Sequence, residues 1–121
     1  MAEEGQVVLF RFPQTDQKEG KLRPALLLRR LPGCYNDWLI CMISSQTHQV
    51  FSATDELVSK SDKDYKKSGL KHASVIRATR LAVVQQGILE GAIGKLGEDR
   101  LTKIRISLAN WIMGSEPGDA G

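Results

Sequence analysis

The chain has 121 residues, 41% of them hydrophobic, which bounds it to one domain with a modest core. Its 17 basic and 14 acidic residues give a net charge of +3, permitting a phosphate-rich or an acidic partner and demanding neither. No apolar run is long enough to span a membrane, and the acidic start Met1-Ala2-Glu3-Glu4-Gly5 lacks the basic and apolar regions of a signal peptide, so the expected location is cytoplasmic.

Val7-Val8-Leu9-Phe10-Arg11-Phe12, β-branched and aromatic between Gly5 and Pro13, predicts a first strand. Pro13 to Leu22 has no periodicity and is long for a hairpin connection; it reads as a plain flexible loop or as a functional lid. Gly20-Lys21-Leu22-Arg23 then runs into an unbroken apolar stretch, and Pro24 to Leu31 predicts the second strand. Pro24 lacks an N–H and pushes Arg23 toward extended geometry, holding it on a stiff rim between solvent and core. The plainer reading of Arg23 is an ordinary solvated arginine. Pro32-Gly33 and Asn36-Asp37 supply turn residues. Trp38-Leu39-Ile40-Cys41-Met42-Ile43 predicts a third strand, apolar on both faces, covered on both sides or paired with another subunit on one. It ends in Ser44-Ser45-Gln46-Thr47-His48. An antiparallel pairing of the second and third strands lays Arg23 and Ser44 side by side.

Cys34 and Cys41 have neither metal-ligand nor Cys-x-x-Cys spacing and read as reduced thiols, Cys41 packed in the core; a hairpin disulfide is the alternative. Val50 to Val58 predicts extended chain, with Ser52-Ala53-Thr54-Asp55 as a turn between two strands. Lys60 to Ser68 is a charged surface helix or loop, broken by Gly69. Ser74 to Val84 predicts a long strand, and because Arg77 and Arg80 fall on opposite faces a bulge is expected near Ala78. Gln86-Gly87 turns the chain, and Ala92 to Leu96 predicts a short edge strand. Leu101, Ile104, Leu108, Trp111 and Ile112 form one helical stripe, with Glu98 and Asp99 at its start and Gly114 as its stop. The expected division is a domain over 1–114 and a disordered tail over 115–121.

Several of these stretches together resemble the PemK/MazF family of type II toxin–antitoxin toxins. They are Gly5-x-Val7-Val8-Leu9-Phe10, Phe12-Pro13-x-Thr15-Asp16, Gly20-Lys21-Leu22-Arg23-Pro24-Ala25-Leu26-Leu27-Leu28 and Ile43-Ser44-Ser45-Gln46. Ser68-Gly69-Leu70-Lys71, Ser74-Val75-Ile76-Arg77, Arg80-Leu81, Ile93-Gly94-Lys95-Leu96 and the closing helix resemble the rest, in the right order over nearly the whole chain. The resemblance implies a mainly β (α+β) fold, a small SH3-like β-barrel with a C-terminal α-helix. It further implies a homodimer that cuts single-stranded RNA without metal or other cofactor and is inhibited by a cognate antitoxin. Arg23 and Ser44 match the family's catalytic positions. Two departures bear on the chemistry: Ala78-Thr79 stands where many members have an Asp, and the Gly-x-Glu before the Arg is met only loosely by Glu19 or Asp16.

Metal-free RNA cleavage uses the 2′-hydroxyl as nucleophile and leaves a 2′,3′-cyclic phosphate and a 5′-hydroxyl. It needs the phosphate held, its oxygens stabilised and two protons moved. Arg23 suits charge stabilisation, being a planar fork of donors but a poor proton shuttle. Ser44 would donate a hydroxyl hydrogen bond. Lys21, Ser45, Gln46, His48, Lys71 and Arg77 are the expected RNA contacts. His48 and His72 are candidates for acid and base, histidine being the residue type suited to proton transfer near neutral pH, but read first as loop histidines, His48 lying nearer the rim. Phe12, Tyr35 and Phe51 are candidates for base stacking. The second reading is a non-catalytic module of the same fold that acts by protein contact, as a topoisomerase poison does, or a degenerate toxin kept for regulation.

Overall fold

The computed structural model describes residues 2–11 and 21–115. The 13–22 stretch, read as a plain loop or a lid, lies outside the described residues up to residue 20 with the stacking candidate Phe12, as does the expected tail from residue 116. Among the described residues six strands follow one another as β1 (Gln6–Arg11), β2 (Leu22–Arg30), β3 (Asp37–Ser44), β4 (Asp55–Val58), β5 (Ser74–Gln85) and β6 (Ala92–Lys95). Two α-helices accompany them among the described residues, the single turn α1 (Tyr65–Ser68) before β5 and the long α2 (Glu98–Met113) at the end, with a 3-10 turn at Gln86–Ile88 after β5. The strands pair antiparallel in the order β4-β5-β3-β2-β1-β6, and the sheet curls into a half-barrel closed by α2. This is the expected mainly β fold.

The unbroken apolar run of β2 is explained by a sheet buried on both faces. Val7, Leu26, Leu28, Cys41, Ile43 and Ile76 pack on one side against Leu101, Ile104 and Leu108 of α2. Val8, Phe10, Ala25, Leu27, Trp38 and Ile40 pack on the other. Leu26, Leu27 and Leu28 are all fully buried, each contributing about 1.5–3 kcal/mol relative to exposure. β3 therefore covers both its faces within the chain. The buried Trp38 indole is satisfied, donating to Gln86 Oε1 at 3.2 Å.

The bulge expected in β5 is present. Cys41 pairs with Leu81 but its neighbour Met42 pairs with Arg77, so Ala78, Thr79 and Arg80 are extra on the β5 side. Two expectations need correction. Only Asp55–Val58 of the 50–58 stretch is strand. The residues before it turn because the Asp55 carboxylate accepts the Phe51 N–H at 3.0 Å and the Phe51 carbonyl accepts the Asp55 N–H at 2.7 Å. The α2 stripe also stops at Leu108: Trp111 and Ile112 are 39% and 65% exposed, past the last turn that reaches the core. Gly114, at φ +79°, ends the helix as expected.

Candidate functional site

The β2–β3 hairpin carries the first part of the site. Ala25 pairs with Met42, and the same register carried outward sets Arg23 opposite Ser44. On its other side Arg23 pairs with Phe10 of β1, so its backbone is held within the sheet while its side chain is exposed. Ser44 closes a small turn: its Oγ accepts the Gln46 N–H at 3.0 Å. That leaves the hydroxyl proton available to a ligand.

The second part comes from the segment between α1 and β5. α1 lies flush on β6. A Cβ at Gly69 would sit 2.0 Å from the Ile93 carbonyl oxygen, and one at Gly94 2.1 Å from that of Lys67. Gly69 also has φ +73°, a conformation that favours glycine. Ser68, fully buried, accepts the Leu70 N–H at 3.2 Å, and Ser74 Oγ donates to the His72 carbonyl at 2.8 Å. The short turn carrying Lys71 and His72 is thus tied at both ends.

The two parts meet in an open groove of about 460 Å³. Arg23 and Leu22 line it from β2, Ser44 and Ser45 from the end of β3, Lys71 and His72 from the tied turn, and Ile93 from β6. Two cations, the hydroxyls of Ser44 and Ser45 and an apolar wall suit a phosphodiester with an adjoining base or sugar.

The structure distributes the expected residues unevenly. Arg23, Ser44, Ser45 and Lys71 share the groove. Lys21, one residue outside it, is exposed, and Gln46 and His48 lie in the exposed turn after β3. Arg77 is committed elsewhere: its guanidinium donates to Asp55 Oδ2 at 2.7 Å and to the carbonyls of Gln49 at 2.6 Å and Gln46 at 3.2 Å. It pairs directly across from Asp55 and pins the loop from 46 to 55. Phe51 lines a different hollow with Thr79 and Trp111, and Tyr35 is 74% exposed in the β2–β3 turn. His72, which sequence placed behind His48, lines the groove, and His48 does not. The signal was present in the Ser68-Gly69-Leu70-Lys71 stretch just before it, but its meaning depends on how α1 seats on β6.

A protein-family model described as "PemK-like, MazF-like toxin of type II toxin-antitoxin system" matches residues 3–112. Among solved structures the chain is similar to the toxin MazF-mt6 of Mycobacterium tuberculosis, with TM-score 0.62 and 20% identity over 87% of this chain and 93% of that one. An endoribonuclease in complex with its cognate antitoxin, from a mycobacterial species, aligns with TM-score 0.67 and 15% identity over 93% and 95%. The MazE–MazF complex of Deinococcus radiodurans aligns with TM-score 0.62 and 19% identity over 92% and 94%. No curated protein sequence matches.

Proposed function

Because the chain belongs to the PemK-like, MazF-like toxins of type II toxin–antitoxin systems, we propose that it is an endoribonuclease that cuts single-stranded RNA at a short sequence without a metal ion. The observation that carries this reading is the convergence of Arg23, Ser44 and Lys71, from three separate segments, on one groove. In this reading the Arg23 guanidinium binds the non-bridging oxygens of the scissile phosphate and stabilises their charge as the 2′ oxygen attacks phosphorus. The Ser44 hydroxyl donates to the same phosphate, and Lys71 holds a neighbouring one. The protein works in the cytoplasm as a homodimer, and its cognate antitoxin silences it by covering the groove.

The test is cleavage of a long, largely unstructured RNA in excess chelator, wild type against Arg23→Ala, with end-group analysis. The expected products carry 5′-hydroxyl ends, and Arg23→Ala slows cleavage by roughly 10²- to 10³-fold, as loss of an oxyanion donor does. Cleavage that survives the substitution moves the site. The exposed end of α2, where Ile112 and Met113 are 65% and 78% exposed, favours the second reading, a non-catalytic toxin acting by protein contact. Absence of cleavage on several RNAs would select it.

A further inference from the structure

We propose that His72 is the general base of the cleavage step, a role that rests on the ribonuclease reading above. Attack on the phosphate requires a group that takes the 2′-hydroxyl proton and is unprotonated near neutral pH. Among the described residues that line the groove, Arg23, Lys71 and His72 are the titratable ones, and none is a carboxylate; Asp16 and Glu19 lie outside the described residues. A guanidinium does not give up its proton in proteins, and an ammonium is ordinarily protonated at neutral pH. Imidazole is the side chain that titrates between pH 5 and 8. Ala78, near the position where a family carboxylate is missing, is fully buried in the core beside the bulge and offers no substitute.

The placement supports the role. The His72 backbone is fixed by Ser74 Oγ, 2.8 Å from its carbonyl, and by the close seat of Gly69 on β6, while its side chain is exposed to the groove. Among the described residues, the charged groups lining the groove with it are Arg23, from β2, and Lys71, beside it on the same turn; β1, β3, β5 and β6 contribute Leu9, Ile43, Ser44, Ser74 and Ile93, none of them charged. The imidazole accepts the 2′-hydroxyl proton as the O2′–P bond forms and the P–O5′ bond breaks. The departing 5′ oxygen takes a proton from water in the open groove, and the imidazolium returns its own to solvent.

The experiment is single-turnover cleavage of an oligoribonucleotide spanning one mapped cut, from about pH 5 to 8, with wild type, His72→Asn, His72→Ala and Arg23→Ala. Affinity is read separately on the same oligonucleotide with a 2′-deoxy sugar at the cut. His72→Asn and His72→Ala are expected to lose roughly 10²- to 10⁴-fold in rate while still binding the deoxy analogue. The acid limb of the wild-type profile should vanish in both, and added imidazole should restore part of the His72→Ala rate. A merely structural histidine would show neither the lost limb nor the rescue. Full activity in both His72 variants, with Arg23→Ala dead, overturns this assignment and leaves the ribonuclease standing. A wild type that cuts nothing overturns both.

Discussion

The Cys41 thiol is fully buried, and burial, reinforced by the nearby Asp55 carboxylate, pushes it up to about 12. It is a core side chain without nucleophilic character, whereas Cys34 is exposed. A thiol reagent at mild alkaline pH should therefore modify one cysteine in the native protein and the second only in denaturant; rapid reaction of both would contradict the packing of β3. Arg77 is a second residue whose environment decides its role. Its side chain is 14% exposed and the Asp55 side chain 2%, so the pair is nearly dry. Arg77→Met removes the only cation bonded to that carboxylate among the described residues. It is expected to cost about 3 kcal/mol in urea unfolding, as breaking a buried pair does. A direct RNA contact would instead lower RNA affinity with stability unchanged.

The entry to α2 shows the same logic in a whole element. Gly97, its N-cap, has no side chain to offer the first turn, and its own N–H is taken up by the Asp64 carboxylate at 3.0 Å. Arg100, one turn in, donates to Asp64, Asp62, Glu56 and the Leu57 carbonyl, so one guanidinium ties the helix to two distant segments. Burial pushes the Asp64 carboxyl up, but the hydrogen bonds from Arg100 and Gly97 outweigh it and hold the group below the usual range. The Ser59 N–H and Arg100 lower Asp62 as well. Because the folded-state values are depressed, this stabilisation is fully present above the ordinary value of about 3.9 and is lost as pH falls through the folded values. Thermal unfolding followed from about pH 2 to 6 should show the wild-type melting point dropping below about pH 4. Arg100→Met should melt lower at neutral pH and show a flatter acid limb. The seat of α1 on β6 is equally specific. Gly94→Ala drives a Cβ to within 2.1 Å of a backbone oxygen, and is expected to cost at least 1–3 kcal/mol, about the penalty of overpacking. A neutral effect in urea unfolding would mean the two backbones part readily.

Across the molecule, what was legible in the sequence was what neighbouring strands decide. The apolar run of β2, the turn residues after it and the hydroxyl-rich end of β3 sufficed to set Arg23 beside Ser44. On the opposite wall Lys71 was named as a contact, but that His72 rather than His48 joins it was hidden, because it depends on contacts between segments far apart: Gly69 on Ile93 and Gly94 on Lys67 carry Lys71 and His72 to the groove. The bond of Arg77 to Asp55 was hidden for a similar reason, since the two meet only when β4 pairs with β5. The assembled groove also has an electrostatic consequence. The net charge of +3 is small, so any strong salt dependence of RNA binding must come from cations placed at the phosphates rather than from the overall field. Among the described residues, Arg23 and Lys71 are the cations that line the groove. Each phosphate contact on a single strand contributes a slope of about −0.7 to log affinity against log salt, so two give roughly −1.4. Binding of an oligonucleotide with a 2′-deoxy sugar at the cut, titrated at several salt concentrations, should give that slope. Lys71→Ala should reduce it to roughly −0.7. It should weaken all sequences alike, because a phosphate contact carries no base information. If Lys71→Ala keeps the full slope, the strand runs along another face, and the exposed Lys21 with the turn of Gln46 and His48 becomes the surface to test.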